Sequence, residues 1–148
     1  MPQIPPADRV RHALWLAGLI VLITLWRLLA ADLMPVTKDE AYYFDWARSL
    51  AWGYFDHPPG VAFLGLGTLL LPASTLAARL GTLIAGTLTL LILVRLYRSA
   101  GLRDPAGLGL ALLIAATTLP GLGSGLIATP DTALALCWAL ALHEALPA

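Results

Sequence analysis

From Ala13 to Ala31 the chain is apolar except for Arg27, and the run is long enough to cross a bilayer's hydrocarbon as one helix of roughly 20 residues. A second run of similar character extends from Leu76 to Tyr97. Within lipid every backbone N–H and C=O must be satisfied internally, so only helices or a closed barrel span it, and runs of this length select helices. The whole chain agrees: of 148 residues 59% are hydrophobic and 12% charged, with a mean hydropathy of +0.79. An ordinary soluble domain is excluded, and the expected class is an all-α polytopic membrane protein whose first partner is the lipid bilayer.

Charge narrows the function classes. The net charge is +0 and no Lys/Arg-rich block occurs, so neither a nucleic-acid footprint nor an electrostatic membrane anchor is present. Arg9 and Arg11 before the first run, with Leu29-Ala30-Ala31 after it, imitate a signal peptide. The run is too long for that, and an uncleaved first span is expected. The single Cys137 cannot form an internal disulfide, and its apolar surroundings predict a buried, inert thiol.

About four transmembrane helices are expected. Val61 to Leu71 is too short to cross and stops at Pro72, so it reads as interfacial or re-entrant. Gly107 to Ile127 forms a third span loosened by Pro120, Gly121, Gly123 and Gly125, and a fourth begins after Pro130 and Asp131. Arg9, Arg11, Arg95, Arg98 and Arg103 fall on one side, which the positive-inside rule makes cytoplasmic. The N-terminus is then cytoplasmic, in a cell (inner) membrane, and Asp39, Glu40, Asp56 and Asp131 emerge together on the outer face.

The loop from Lys38 to Pro59 is a polar, aromatic-rich island. It holds seven of the chain's twelve aromatics and four of its nine acidic residues. Asp39 and Glu40 suit the dipole at the start of a short amphipathic interfacial helix over 41–52, with Tyr43, Trp46, Ala47 and Leu50 on one face. Each proline of Asp56-His57-Pro58-Pro59 holds its predecessor extended, so the acid and imidazole sit on a stiff turn.

Two adjacent carboxylates at the exit of a span repel and resist desolvation. Water, a cation or a catalytic task accommodates them. Glycosyl transfer from a lipid phosphate needs a base for the acceptor hydroxyl and cationic or hydrogen-bonding groups for the leaving phosphate. The outer acids, with Lys38, Arg48 and Arg79, match that inventory in residue type. Arg79 has three readings: contact with a lipid phosphate, pairing with an outer carboxylate, or snorkelling. Arg27 is expected to snorkel or to pair with Asp32. A divalent cation is the one cofactor these donors admit, but their spacing matches no tight metal motif, and hydrogen-bonded carboxylates are the simpler expectation.

Taken in order, DEAYYFDWARSLAWGYFDHPPG, AARLGTLIAGTLTLLILVRLYR and ATPDTALALCWALAL resemble the N-terminal third of GT-C glycosyltransferases of the aminoarabinose-transferase and protein-mannosyltransferase-like group. The resemblance implies a polyprenyl-phosphate-linked sugar donor, an outer-face lipid, glycan or protein acceptor, and inversion at the anomeric carbon. It implies Asp39 as base, with Glu40 beside it as catalytic partner. It further implies Asp131 as completing the site and His57 as site-lining, and Asp56, Arg79 and Tyr43 are the further substrate-binding candidates the residues themselves offer. Family members carry more spans, so residues 1–148 are expected to be the N-terminal portion of a transmembrane domain. The competing expectations are a small non-catalytic membrane protein, such as an assembly subunit or transporter fragment, and an inactive remnant.

Overall fold

The computed structural model describes residues 5–146. Its helices are α1 (Pro6–Leu33), α2 (Lys38–Trp46), α3 (Gly60–Leu64), α4 (Thr75–Ser99), α5 (Pro105–Thr117), α6 (Leu119–Leu126) and α7 (Pro130–Glu144), with a 3-10 turn at Leu66–Leu69. No strand occurs among the described residues. The protein is an all-helical membrane protein, with α4 at the centre packed on α1, α5, α6 and α7.

Two helices, α1 and α4, are long and apolar enough to cross a membrane. The α5–α6 pair is bent by 72° and makes a third crossing if it is one broken span. The expected fourth span corresponds to α7, a helix of 15 residues, shorter than the roughly 20 a full crossing needs, as its apolar run after Pro130 implies. The α5–α6 break has a local cause: Pro120 has no N–H to offer the preceding turn, and Thr118 is extended (φ −64, ψ 156). A Cβ at Gly121 would collide with the Ala115 carbonyl oxygen, so only glycine permits the close reversal there.

At the other end of α4, Gly101 adopts φ 96. Leu102 N–H then bonds to Tyr97 O (2.9 Å) and Gly101 N–H to Arg98 O (3.1 Å), which closes the helix in a Schellman motif. Leu102 and Tyr97 pack on a cluster of Leu16, Ile20 and Ile23 from α1, Leu90 and Val94 from α4, and Leu108, Leu112 and Ala116 from α5. Arg9, Arg11, Arg95, Arg98 and Arg103 therefore gather at this end of the bundle, while α2 and α3 cover the opposite end.

Lipid supplies no hydrophobic drive for helix association, so packing and polar contacts between helices matter more. Thr24 of α1 and Thr87 of α4 share a hydrogen bond of 3.1 Å. Leu22, Leu25, Leu29, Leu88 and Leu91 stay exposed for the bilayer. Cys137 corrects its expectation: it lies exposed on α7, because an apolar stretch of a membrane protein faces lipid as readily as core.

Candidate functional site

The short helix of the first loop begins three residues earlier than expected and ends at Trp46 instead of 52. Thr37 caps it, with Glu40 N–H donating to Thr37 Oγ1 (3.2 Å) and Thr37 N–H donating to Glu40 Oε2 (3.0 Å). This reciprocal capping box places Asp39 and Glu40 inside the first turn. At the far end the backbone tightens to Arg48 N–H→Asp45 O and Ser49 N–H→Trp46 O, and then leaves the helix. Leu50, expected on the buried face, is 50% exposed.

Asp39 and Glu40, adjacent in sequence, have opposite environments. Asp39 is exposed, whereas Glu40 is 0% exposed and pairs with Arg79, also 0% exposed. Arg79 Nε and Nη2 meet the two Glu40 oxygens at 2.8 and 2.7 Å. Its remaining donors reach the carbonyls of Ala31 (2.8 Å), Met34 (2.8 Å) and Pro35 (2.9 Å) where α1 ends. All five guanidinium N–H groups are thereby used.

Glu40 Oε1 also accepts from Ala128 N–H at 3.0 Å, which ties α2 to the connection between α6 and α7. Burial pushes the Glu40 carboxyl up, but the Arg79 hydrogen bonds, the Thr37 and Ala128 N–H groups and the Arg79 charge outweigh it. Its pKa consequently lies below the ordinary carboxylate value. Of the three readings of Arg79, pairing with an outer-loop carboxylate is the one observed. Glu40, expected as a second catalytic carboxylate beside Asp39, has both oxygens fully engaged within the protein.

On the other face of α2, Tyr43 OH lies 3.2 Å from His57 Nε2. Trp46 stacks on Tyr54 with ring centroids 4.2 Å apart and planes 6° from parallel. Tyr54 N–H donates to His57 O (3.0 Å), and Tyr54 OH donates to Trp46 O (3.1 Å), so the Asp56–His57 turn is held against the helix. Asp56 Oδ2 is 3.8 Å from His57 Nε2. The Tyr43 phenol is shifted up, first by burial and then by the negative charges of Asp39, Asp56 and Asp131. The charges of three exposed carboxylates from three separate segments thus act on one buried tyrosine. Neither Asp39 nor Asp131 forms an ion pair among the described residues.

The structure therefore brings Asp56, His57 and Tyr43 together, with the charges of Asp39 and Asp131 acting on the phenol, while Glu40 and Arg79 are taken up in a buried ion pair. Among the described residues no group of three or more His, Cys, Asp or Glu side chains is gathered as metal ligands would be. Arg48 extends to Asp45 (3.8 Å) on the exposed side of α2. Arg27 corrects its expectation, since it neither snorkels nor pairs with Asp32. It is 2% exposed and donates from Nη2 to Gly121 O at 3.0 Å.

The family model described as dolichyl-phosphate-mannose-protein mannosyltransferase matches residues 56–146. The chain belongs to this family. It is thus a membrane protein of a glycosyltransferase lineage, and Asp56, His57, Arg79 and Asp131 lie within the matched segment, whereas Asp39, Glu40 and Tyr43 precede it. No curated protein and no solved structure shows significant similarity to the chain.

The sequence offers an outer carboxylate as one partner of Arg79 but singles out neither Glu40 nor its bond to Ala128. The spacing Thr37-x-x-Glu40 was its one readable signal, because a capping box predicts a carboxylate turned back onto its own helix start. Nothing local announces Arg79 or Ala128 as its further partners.

Proposed function

We propose that the cluster around Tyr43 belongs to the acceptor side of an outer-face glycosyl-transfer site that uses a polyprenyl-phosphate-linked sugar. The supporting observation is that the charges of Asp39, Asp56 and Asp131 act on Tyr43, which meets His57, at the end of the bundle opposite Arg9, Arg11, Arg95, Arg98 and Arg103, in a chain of a glycosyltransferase family. Asp39 is the base. It is exposed, without a cationic partner among the described residues, and next to a residue locked in place, so its carboxylate is free to take the proton of an acceptor hydroxyl as the anomeric bond forms. The donor phosphate leaves as an anion and needs no strong acid.

Asp131 and Asp56 accept hydrogen bonds from sugar or acceptor hydroxyls, and Tyr43 and His57 form the wall behind them. Glu40 and Arg79 position Asp39 without touching substrate. The arginine-bearing end faces the cytoplasm, in keeping with the positive-inside rule.

The test is transfer from a radiolabelled polyprenyl-phosphate sugar in membranes containing the chain. Asp39→Asn should abolish transfer while membrane insertion stays unchanged. Wild-type turnover in that variant would remove Asp39 from the role of base.

A further inference from the structure

The stretch from Gly60 to Leu71 carries no Asp, Glu, Lys or Arg, although it lies in the connection between two helices long enough to span. By sequence it is interfacial or re-entrant, and its packing separates the two. Helix α3 and the 3-10 turn lie alongside the start of α4 and not above it. A Cβ on Gly81 would collide with the Leu64 backbone, and one on Gly67 with the Ala77 carbonyl. The chain therefore descends beside α4 to Leu64, reverses at Gly65, and climbs until Ser74, the N-cap of α4, donates its N–H to Leu71 O (3.0 Å).

The depth of this contact follows from the length of α4. A hydrocarbon layer of about 30 Å takes up roughly 20 helical residues at about 1.5 Å each, so a boundary at Arg95 puts the opposite one near Thr75. The same measure from Arg11 along α1 ends near Ala31, and Thr75 Oγ1 donates to Asp32 O (3.3 Å), so both helices reach the boundary together. Ala77 and Gly81 then lie about 3 and 9 Å inside the layer, and Gly67 and Leu64 lie against them.

The segment meets the conditions of that medium. Lipid requires backbone polar groups to be paired internally, and here Gly65 N–H donates to Ala62 O (3.1 Å), Thr68 N–H to Gly65 O (3.0 Å) and Leu70 N–H to Gly67 O (3.1 Å). The Thr68 hydroxyl is buried and donates to Gly65 O (2.8 Å). The reversal itself is covered, with Phe44 and Ala47 of α2 close to Gly65. What remains outward is Phe63, Leu69, Leu70 and Leu71, each more than half exposed.

We propose that residues 60–71 form a re-entrant wedge among the acyl chains of the leaflet remote from Arg95 and Arg98, with Phe63 deep and Leu69, Leu70 and Leu71 nearer the rim. Acyl chains are the occupant because the outward side chains are apolar, lie beside α4 at hydrocarbon depth and belong to a stretch without charge. The Asp56–His57 turn, which directly precedes α3, then stands at the membrane boundary. The proposal does not rest on the transferase reading. Its test measures immersion and no transfer, so the two fail separately.

The experiment is electron paramagnetic resonance of the chain in phosphatidylcholine vesicles, in a Cys137→Ala background, with a nitroxide attached at Phe63→Cys or Leu70→Cys. Both side chains are exposed, so labelling leaves the packing intact. Leu91→Cys on α4 is the lipid reference and Asp45→Cys on α2 the aqueous one. Oxygen, which concentrates in lipid, should relax the labels at positions 63 and 70 more strongly than a water-soluble nickel chelate does, as at position 91, and the ratio should be larger at 63 than at 70.

Chelate access at both positions equal to that of Asp45→Cys overturns the proposal and leaves the segment on the aqueous surface. Labels reached by neither reagent also overturn it, because protein, such as a second copy of the chain, would then cover this face. A larger ratio at 70 than at 63 overturns the descending path. Should Phe63→Cys fail to fold, Leu70→Cys, the most exposed of the four at 78%, decides between lipid and water.

Discussion

Glu40→Gln keeps the shape of the side chain at the centre of the outer scaffold while removing its charge, which makes it the sharpest probe of the ion pair. In the native protein the carboxylate oxygens receive four N–H groups, from Arg79 Nε and Nη2, Thr37 and Ala128. A glutamine amide would turn its own NH₂ toward two of those donors and leave Arg79 charged at 0% exposure with no counter-ion. Breaking one side of a buried pair costs about 3–5 kcal/mol, so the folding constant should fall by roughly a thousandfold. Equilibrium unfolding in mild detergent, followed by circular dichroism, measures it. Asp39→Asn is the internal control, and as an exposed neighbour outside the pair it should shift stability by no more than about 0.5 kcal/mol. A loss below about 1 kcal/mol in Glu40→Gln would refute the reasoning, because it would mean that Arg79 finds other compensation or that the pair is open to water.

The remaining predictions use the same assays. Because the folded pKa of Glu40 is depressed, its contribution is fully present above the unfolded carboxyl value of about 4.3 and is lost as pH falls through the lower folded value. Acid unfolding of the native chain should therefore steepen below roughly pH 4, while Glu40→Gln lacks this component. Gly125→Ala should destabilise by about 1–3 kcal/mol through collision with the Arg27 guanidinium. Gly123→Ala, which meets nothing within 4 Å on the same helix, should be neutral or slightly stabilising. The Tyr43 phenolate, followed by ultraviolet absorbance against a Tyr43→Phe control, should form above the ordinary tyrosine range, and Asp39→Asn or Asp131→Asn should bring its titration down. An unchanged titration in both variants would show that these carboxylates do not face the ring.

Much of the bundle was legible because helix length in lipid is set by thickness and polarity. The run Leu76–Tyr97 became Thr75–Ser99, and the Pro120/glycine segment became a break. The first-loop helix starts at Lys38 and not at 41 because the Thr37-x-x-Glu40 cap, and not the aromatics of 41–52, sets its first turn. The buried arginines were harder to read. Apolar surroundings in a membrane sequence do not tell lipid-facing from core-facing positions, so neither the partner of Arg79, 39 residues away, nor the glycine notch around Arg27 carried a local signal. Cys137 failed for the same reason in the opposite direction.

The ion pair also explains how two neighbouring acids come to differ. Successive residues on a helix point about 100° apart, so once Glu40 is turned inward to Arg79 the rotation of α2 is fixed and Asp39 must project toward solvent. The same Glu40 Oε1 that receives Arg79 receives Ala128 N–H, and Asp131 lies only three residues on, in the first turn of α7. Fixing the Glu40 carboxylate thus fixes the direction of its neighbour Asp39 and the position of Asp131, 91 residues further along the chain, with α1 held to the node by the Ala31, Met34 and Pro35 carbonyls. If so, Glu40→Gln should disturb Asp131 as well as Asp39. The Tyr43 titration registers both charges, so it should shift down in Glu40→Gln under conditions where the protein remains folded, although Glu40 is not among the groups whose charges raise the phenol.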